Sequence, residues 1–486
     1  MPNIRKLIML VLGAVAHCWG HTGATAELNP TADQANVVYI FMDDQRYNTI
    51  KALGQEDIIT PNLDRLAARS FIFSNAYCFG GNTAAVCIPA RNMNMTGNTF
   101  FHFNGGNTSG NNPRDNGKGY TFPKSMKAAG YETYNREKSG SANLPHIRTQ
   151  FDYYGDINMV QEQRTGYAAR SIINDAIQYL EKDRDTSKPF FMYLGIPGPH
   201  DPRLSAQEFH DMYDREKIPL PENYLPSHPW DIGKSTMLAR DEMIEAWPRT
   251  EEAIRGHIED YFAIITSMDV DIGRLLDKLD QMNLTKDTII IFSSDQGLAI
   301  GSHGLMGKQS LYDDVMKVPM MFAGPGIPKG SSDALMYIHD VYPTVCELTG
   351  APMPQGIDGI SMVPVIEGKV DTLREQLMFA YQRNQRAIRD ERWKLIQFTE
   401  INKTLLFDLK KDPWETNNLA DEPEYKEVVE RMLHELKSEQ AYYGDDQLLF
   451  AENPRDSYFK LPTQEDIRNL RKAKRERRSK DDDNDG

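Results

Sequence analysis

An α/β architecture, with a mostly parallel central sheet sandwiched by helices and a small C-terminal α+β subdomain containing an antiparallel sheet, follows from three features of this 486-residue chain. Continuous apolar runs of strand length recur along it, amphipathic helical runs alternate with them, and three of the apolar runs stop abruptly at polar clusters. A strand covered by helices on both faces shows no polar face, so it is continuous rather than alternating in hydropathy. In open sheets of this kind, ligands bind beyond the carboxyl ends of the strands.

The elements follow in order. Residues 1–26 carry Arg5 and Lys6, an apolar run from Leu7 to Ala16, and Ala24-Thr25-Ala26, the layout of a cleavable signal peptide. That run is shorter than the ~20 residues that span a bilayer, and no other stretch is longer. The expectation is an exported protein, secreted or periplasmic, with no stable membrane insertion. "NVVYIFMDD" is the first buried strand, closed by Asp43 and Asp44. "TPNLDRLAARS" follows as a helix capped by Thr60, with Pro61 in its first turn. The strand "FIFSNAYC", the helix "TFPKSMKAAG", the strand "YETYN" and a helix around "AARSIINDAIQYLEK" come next. The buried strand "PFFMYLGI" runs out to His200, a long helix fills "IEDYFAIITSMDVDIGRLLDKLDQM", and "TIIIFSSD" ends at Asp295 and Gln296. "DVYPTVCELTG" has a helical pattern, and beyond residue 365 "EQLMFAYQRNQRAIRDERWKLIQF" alternates short strands and turns. The expected organisation is a signal peptide at 1–26, a catalytic domain at 27–367, a C-terminal subdomain at 368–460 and a charged tail at 461–486.

With 70 Asp and Glu against 55 Lys and Arg, the net charge is −15, which excludes a general affinity for polyanions and argues against a nucleic-acid partner. The mature chain keeps Cys78, Cys87 and Cys346, so either one disulfide forms or all three thiols are free. Asp43, Asp44, Asp295 and Gln296 offer only oxygen donors, which is what a hard divalent cation such as calcium or magnesium takes. Without a cation such carboxylates repel one another and resist ionising. The glycine-punctuated loop after Gln296 presents His303 and Lys308, and "AAVCIPARN" adds Arg91. A cation with an arginine, a lysine and histidines suits a tetrahedral oxyanion whose charge changes in the transition state.

These residues resemble the type I sulfatases of the alkaline phosphatase superfamily, whose signature Cys-x-Pro-Ser/Ala-Arg surrounds a cysteine oxidised to formylglycine. Here it stands as Cys87-Ile88-Pro89-Ala90-Arg91. "MDDQR", "TPNLDRLA", "GYETY", "GPHDPR", "SDQGLAIGSHGLMGKQSLYD", "DVYPTVCELTG", "RWKLIQF" and "LFDLKKDPWETNNLA" extend the likeness over most of the chain. The resemblance implies an alkaline phosphatase-like fold and one calcium ion held by Asp43, Asp44, Asp295, Gln296 and the modified residue 87. It implies that Arg91 supports this cluster, that Lys138 and Lys308 hold the sulfate, and that His200 protonates the leaving oxygen. His303 lies in the same loop and, with Arg383 and Arg386 from the C-terminal subdomain, is a candidate for substrate binding. A hydrated aldehyde at position 87 presents two hydroxyls: one attacks sulfur, and deprotonation of the other expels sulfate.

One departure stands out. The family places a histidine two residues after the lysine matched by Lys138, and here position 140 is glycine; its role is either filled by another group, with His146 and His102 as candidates, or lost. The expected function is hydrolysis of a sulfate ester on a carbohydrate or sulfated polysaccharide fragment, after a formylglycine-generating maturation enzyme has acted on Cys87. The alternatives are a phosphodiesterase or phosphonate monoester hydrolase of the same superfamily, or a non-catalytic glycan-binding homologue.

Overall fold

A computed structural model describes residues 34–103, 121–139 and 145–463, with a few positions up to 472. The expected signal peptide and most of the charged tail lie outside the described residues. In chain order the first strands are β1 (Asn36–Asp43), β2 (Phe71–Tyr77), β3 (Gly80–Gly81), β4 (Glu132–Lys138), β5 (Tyr153–Ile157), β6 (Phe190–Pro199) and β7 (Thr288–Ser294). They are followed by β8 (Lys317–Val318), β9 (Met320–Ala323), β10 (Gly330–Tyr337), β11 (Leu377–Tyr381), β12 (Gln385–Arg389), β13 (Trp393–Phe398) and β14 (Lys403–Asp408). The central sheet has the order β10-β2-β9-β7-β1-β6-β4-β5, with β8 attached to β2, and β7, β1, β6, β4 and β5 all run parallel.

The period of two along β1 divides the core. Val37, Tyr39 and Phe41 pack on one side, with Met93, Val341 and Val345 from the helices Cys87–Thr96 and Val341–Thr349. Val38, Ile40 and Met42 pack on the other, with Leu63, Ile172 and Ile265 from the helices Pro61–Ala67, Arg170–Gln178 and Glu251–Gln281. Alternate side chains of a strand point to opposite faces, so a strand with helices on both sides must be apolar throughout. The longest helix begins at Glu251, earlier than the apolar pattern alone indicates, because the Thr250 hydroxyl accepts the N–H of Ala253 and two glutamates open the first turn.

The β5 and β9 strands are not legible in the sequence, the first for want of an apolar pattern and the second because its apolar run is only four residues long. The sequence of β5, "YYGDI", is a partly exposed edge without a continuous apolar pattern, and β9 is a four-residue strand running antiparallel to both neighbours. The second sheet, β14-β13-β12-β11-β3, takes β3 from the N-terminal part by parallel pairing of Gly80 with Ala380. Only glycine fits there: φ is +116°, and a Cβ would lie 2.1 Å from the Ala380 carbonyl oxygen. Phe379, Ile388, Leu395 and Leu436 belong to the same hydrophobic cluster as Phe41. The C-terminal subdomain is thus built onto the main core rather than beside it.

Candidate active site

The parallel order β7-β1-β6-β4 brings four carboxyl ends to one edge of the sheet. At β1 this edge presents Asp43 and Asp44, at β7 Asp295 and Gln296, at β4 Lys138, and just beyond β6 His200. The chain turns sharply at Asp44, with φ +70°, so that its N–H meets Asp295 Oδ1 at 3.0 Å. The next N–H, of Gln45, is received by Ser294 Oγ at 2.9 Å.

Cys87 opens the helix Cys87–Thr96, where Pro89 in the first turn costs no hydrogen bond. Its Sγ lies 3.2 Å from Asp43 Oδ1, 3.1 Å from Gln296 Nε2 and 3.0 Å from Lys308 Nζ. Ligand atoms of Asp43, Asp44, Cys87 and Asp295 all fall within 4.8 Å of one another. Arg91, one helical turn on, gives Nη2 to Asp43 Oδ2 at 3.0 Å and sets Nε 3.4 Å from Asp295 Oδ2. Lys138 pairs with Asp43, and Lys308 reaches both oxygens of Asp44 at 2.8 and 2.9 Å. Asp43, Arg91, Asp295 and Gln296 are fully buried, and Asp44, Cys87, Lys138 and Lys308 are nearly so.

The electrostatics follow from this burial. Burial would raise Asp43, but Lys138 and Arg91 hold its carboxyl far below the usual range. Asp44 and Asp295 go the other way: burial raises both, and Asp43 adds to it, so that Asp295 is pushed up to about 7. Two carboxylates that resist ionising beside a third that stays ionised mark a pocket short of positive charge. Asp295 Oδ2 and Gln296 Oε1 are buried and accept no hydrogen bond. Turning the Gln296 amide by 180° would present Oε1 where Nε2 now faces Asp44 and Cys87. Three carboxylates and an amide oxygen then converge, a donor set that fits a hard divalent cation. The Cys87 thiol is pushed well above its usual value by burial and by Asp295 and Asp43, so it stays protonated and is a poor nucleophile as a thiol.

His200 stands over this cluster, its Nε2 3.8 Å from Asp44 Oδ2 and its Nδ1 2.8 Å from the Asp201 carbonyl oxygen. Burial, then Lys308 and Lys138, push it down to about 3. Arg240 was not found from the sequence. Its Nη2 lies 3.5 Å from His200 Nε2, 2.7 Å from Asp201 Oδ1 and 2.6 Å from Asp241 Oδ1. It comes from a loop with no strand-end signal, although Asp201 within "GPHDPR" was a clue to a charged partner.

A second polar network supports the site from behind. Gly297, next to Gln296, donates its N–H to Val315 O at 2.7 Å, and Arg46, two residues after Asp44, pairs with Asp314. The short helix Asp313–Met316 therefore touches both segments that carry the acidic cluster. On its far side Lys394 Nζ, fully buried, lies 2.6 Å from Asp313 Oδ1 and 2.7 Å from Glu415 Oε1.

Four candidates sit elsewhere. His303 stacks on Tyr312 with ring centroids 3.7 Å apart, and its Nε2 lies 3.0 Å from Asn223 Nδ2. It packs within the supporting network rather than against Cys87. Arg386 is almost fully buried, with its guanidinium held by Asp445 and by the Gln382 and Gln385 carbonyls; it braces a wall with four of its five N–H groups engaged. Arg383 is exposed beside Asp446. His102 pairs with Asp358 at 2.7 Å and packs on Tyr443, so Asp358, not the Cys87 cluster, is its partner. Gly140 and the His146 side chain lie outside what is described. Cys78, Cys87 and Cys346 are all free and buried.

A profile of the sulfatase family matches residues 35–351, and a second, the C-terminal region of N-sulphoglucosamine sulphohydrolase, matches residues 301–442. An N-acetylglucosamine-6-O-sulfatase of Bacteroides thetaiotaomicron is 26% identical over 508 residues, covering 86% of this chain and 88% of that protein. A solved structure in complex with its substrate D-glucosamine-2-N,6-O-disulfate has a TM-score of 0.71 at 24% identity, over 85% of this chain and 99% of the other. The phosphonate monoester hydrolase of Agrobacterium radiobacter superposes with a TM-score of 0.67 at 19% identity, over 88% of this chain and all of the other (100%).

Proposed function

The chain belongs to the sulfatase family, whose members are sulfuric ester hydrolases, and from that premise we propose that it is an exported enzyme that removes sulfate from carbohydrates. In this reading Cys87 is converted to formylglycine by a maturation enzyme and one calcium ion is held by Asp43, Asp44, Asp295, Gln296 and residue 87. The observation that carries it is the packing of Lys308, Asp43 and Gln296 around Sγ of a thiol that burial keeps protonated. Such a position is ill suited to thiol catalysis and well suited to a group rewritten before use. Carbohydrate as substrate is supported by the relatives' names, that of the N-acetylglucosamine-6-O-sulfatase among them.

When bound, the cation would supply Lewis-acid polarisation of the sulfate oxygens and would lower the pKa of the hydroxyl on residue 87. The chain's own groups do the rest. Lys308 and Lys138 offer ammonium groups to the sulfate oxygens from two sides of residue 87, and Arg91 locks Asp43 and Asp295 in place beneath it. Burial keeps the His200 imidazole neutral, and Lys308 and Lys138 add to this while Asp43 and Asp201 oppose them. An anionic sulfate ester seated between the two lysines offsets their part of that effect and so favours the protonated ring that delivers a proton to the leaving oxygen. Arg240, through Asp201, fixes the ring.

Sulfate release from sulfated mono- and oligosaccharides, together with peptide mass spectrometry of residue 87 in protein made with the maturation enzyme, tests this. Cys87→Ala should abolish turnover and leave the melting temperature nearly unchanged. The likeness to a phosphonate monoester hydrolase makes paired aryl sulfate and aryl phosphonate esters the deciding comparison. A preference of orders of magnitude for the phosphonate would replace the sulfatase reading.

A further inference from the structure

We propose that a pocket at the seam of the two sheets receives the sugar adjoining the sulfated one, and that it selects an uncharged, hydroxyl-rich residue over one bearing a second sulfate or a carboxylate. This rests on the function proposed above. The pocket has a volume of about 820 Å³, within the range of small-ligand sites. One wall is formed by Asn82, Phe100 and Phe101, on either side of the helix that Cys87 opens, and the other by the β11–β12 turn and residues 444–446. Asn82 precedes Cys87 by five residues, which at full extension span at most about 18 Å. The walls share a frame with the sulfate site: Gln385 Nε2 donates to the carbonyl of Gln309, next to Lys308, at 3.0 Å, and Gln309 Nε2 donates to Ala84 O at 3.2 Å.

The lining is charged yet already paired. Arg386 gives Nε and Nη2 to Asp445 at 2.6 and 2.9 Å. Arg455 lies 2.8 Å from Asp231 Oδ2 and 3.4 Å from Glu400 Oε2. At the mouth, Arg383 faces Asp446 at 3.5 Å, both exposed; such a pair adds little stability but leaves no surplus charge. Three guanidinium groups thus meet four carboxylates, whereas around Cys87 the three cations Arg91, Lys138 and Lys308 match Asp43, Asp44 and Asp295 in number. An anionic group entering here gives up its water and meets, among the described residues of the lining, a net negative field. Sugar hydroxyls fare better, because each paired carboxylate keeps unused lone pairs that can accept them. Phe100 and Phe101 add an apolar surface for the C–H face of a ring.

The test compares kcat/KM for two disaccharides carrying the same sulfated sugar, one joined to a neutral hexose and one to a hexuronic acid, with an aryl sulfate alongside. The neutral disaccharide should be favoured by about 10-fold or more. Glu400→Gln and Asp446→Asn, which remove negative charge from the lining, should each narrow that ratio. Equal rates, a preference for the acidic disaccharide, or hydrolysis of the aryl sulfate but of neither disaccharide overturns the pocket assignment. Failure on all three substrates overturns the sulfatase reading itself, so the two failures are distinct.

Discussion

Replacing Lys308 by methionine keeps most of its volume and removes one charge from the centre of the site. Its Nζ lies 3.0 Å from the Cys87 Sγ, so a sulfate carried by residue 87 would place its oxygens on the order of 4 Å from the ammonium. A unit charge at that distance interacts by about 4 kcal/mol at an effective dielectric constant of 20. If half a unit of charge or more develops there in the transition state, the loss is about 2–4 kcal/mol, or roughly 30-fold to 10³-fold in kcat/KM. Burial would lower the lysine's pKa, but Asp44 and the groups around it hold it well above its usual value. The ammonium therefore stays charged throughout the working range, and the loss should be equal at mildly acid and mildly alkaline pH. Steady-state hydrolysis of an aryl sulfate, with a thermal melt to establish folding, measures it. A folded variant that loses less than about 3-fold, or whose loss varies steeply with pH, would refute the assignment of Lys308 to the sulfate oxygens.

Other outcomes follow from the same structure. Lys394→Met strands Asp313 and Glu415 as buried carboxylates and should cost about 3–5 kcal/mol in chemical denaturation; a cost below about 1 kcal/mol would show that the triad does not clamp the subdomain. Burial, partly offset by Lys394, pushes Glu415 up to about 7 from an ordinary 4.5, while Asp313 is held at about 2. The stability that Glu415 contributes is complete below its ordinary value and is lost as pH rises through 7. The Glu415 contribution should therefore fall from about pH 5 to 8, and it should be read as the difference between wild-type and Glu415→Gln denaturation midpoints across that window. Exhaustive chelation should abolish activity and lower the melting temperature, with both restored by calcium; about 2.7 kcal/mol is expected at an ion concentration 100 times Kd. Full activity after chelation would remove the metal from the reading.

Much of this protein is legible one segment at a time. The strands β1, β6 and β7 are apolar throughout because helices cover both faces, and that is a property of the strand's own residues. The acidic and amide groups at their ends are legible for the same reason, since a buried strand can end in polar side chains only where the fold leaves room for a site. The pentapeptide from Cys87 to Arg91 is local too: one helical turn carries Arg91 back to Asp43, beside Cys87. Other properties depend on partners far away in the chain. His303 and Lys308 share one glycine-rich loop, yet Lys308 reaches Asp44 and Cys87 while His303 stacks on Tyr312; spacing cannot separate two side chains whose destinations are set by tertiary contacts. Arg386 looks available in the sequence and is engaged by Asp445, 59 residues on. The C-terminal sheet borrows β3 from the N-terminal part because its edge needs a strand whose glycine admits the Ala380 carbonyl. Sequence sets hydropathy and chemistry residue by residue, while pairings across hundreds of residues decide which of those chemistries meet.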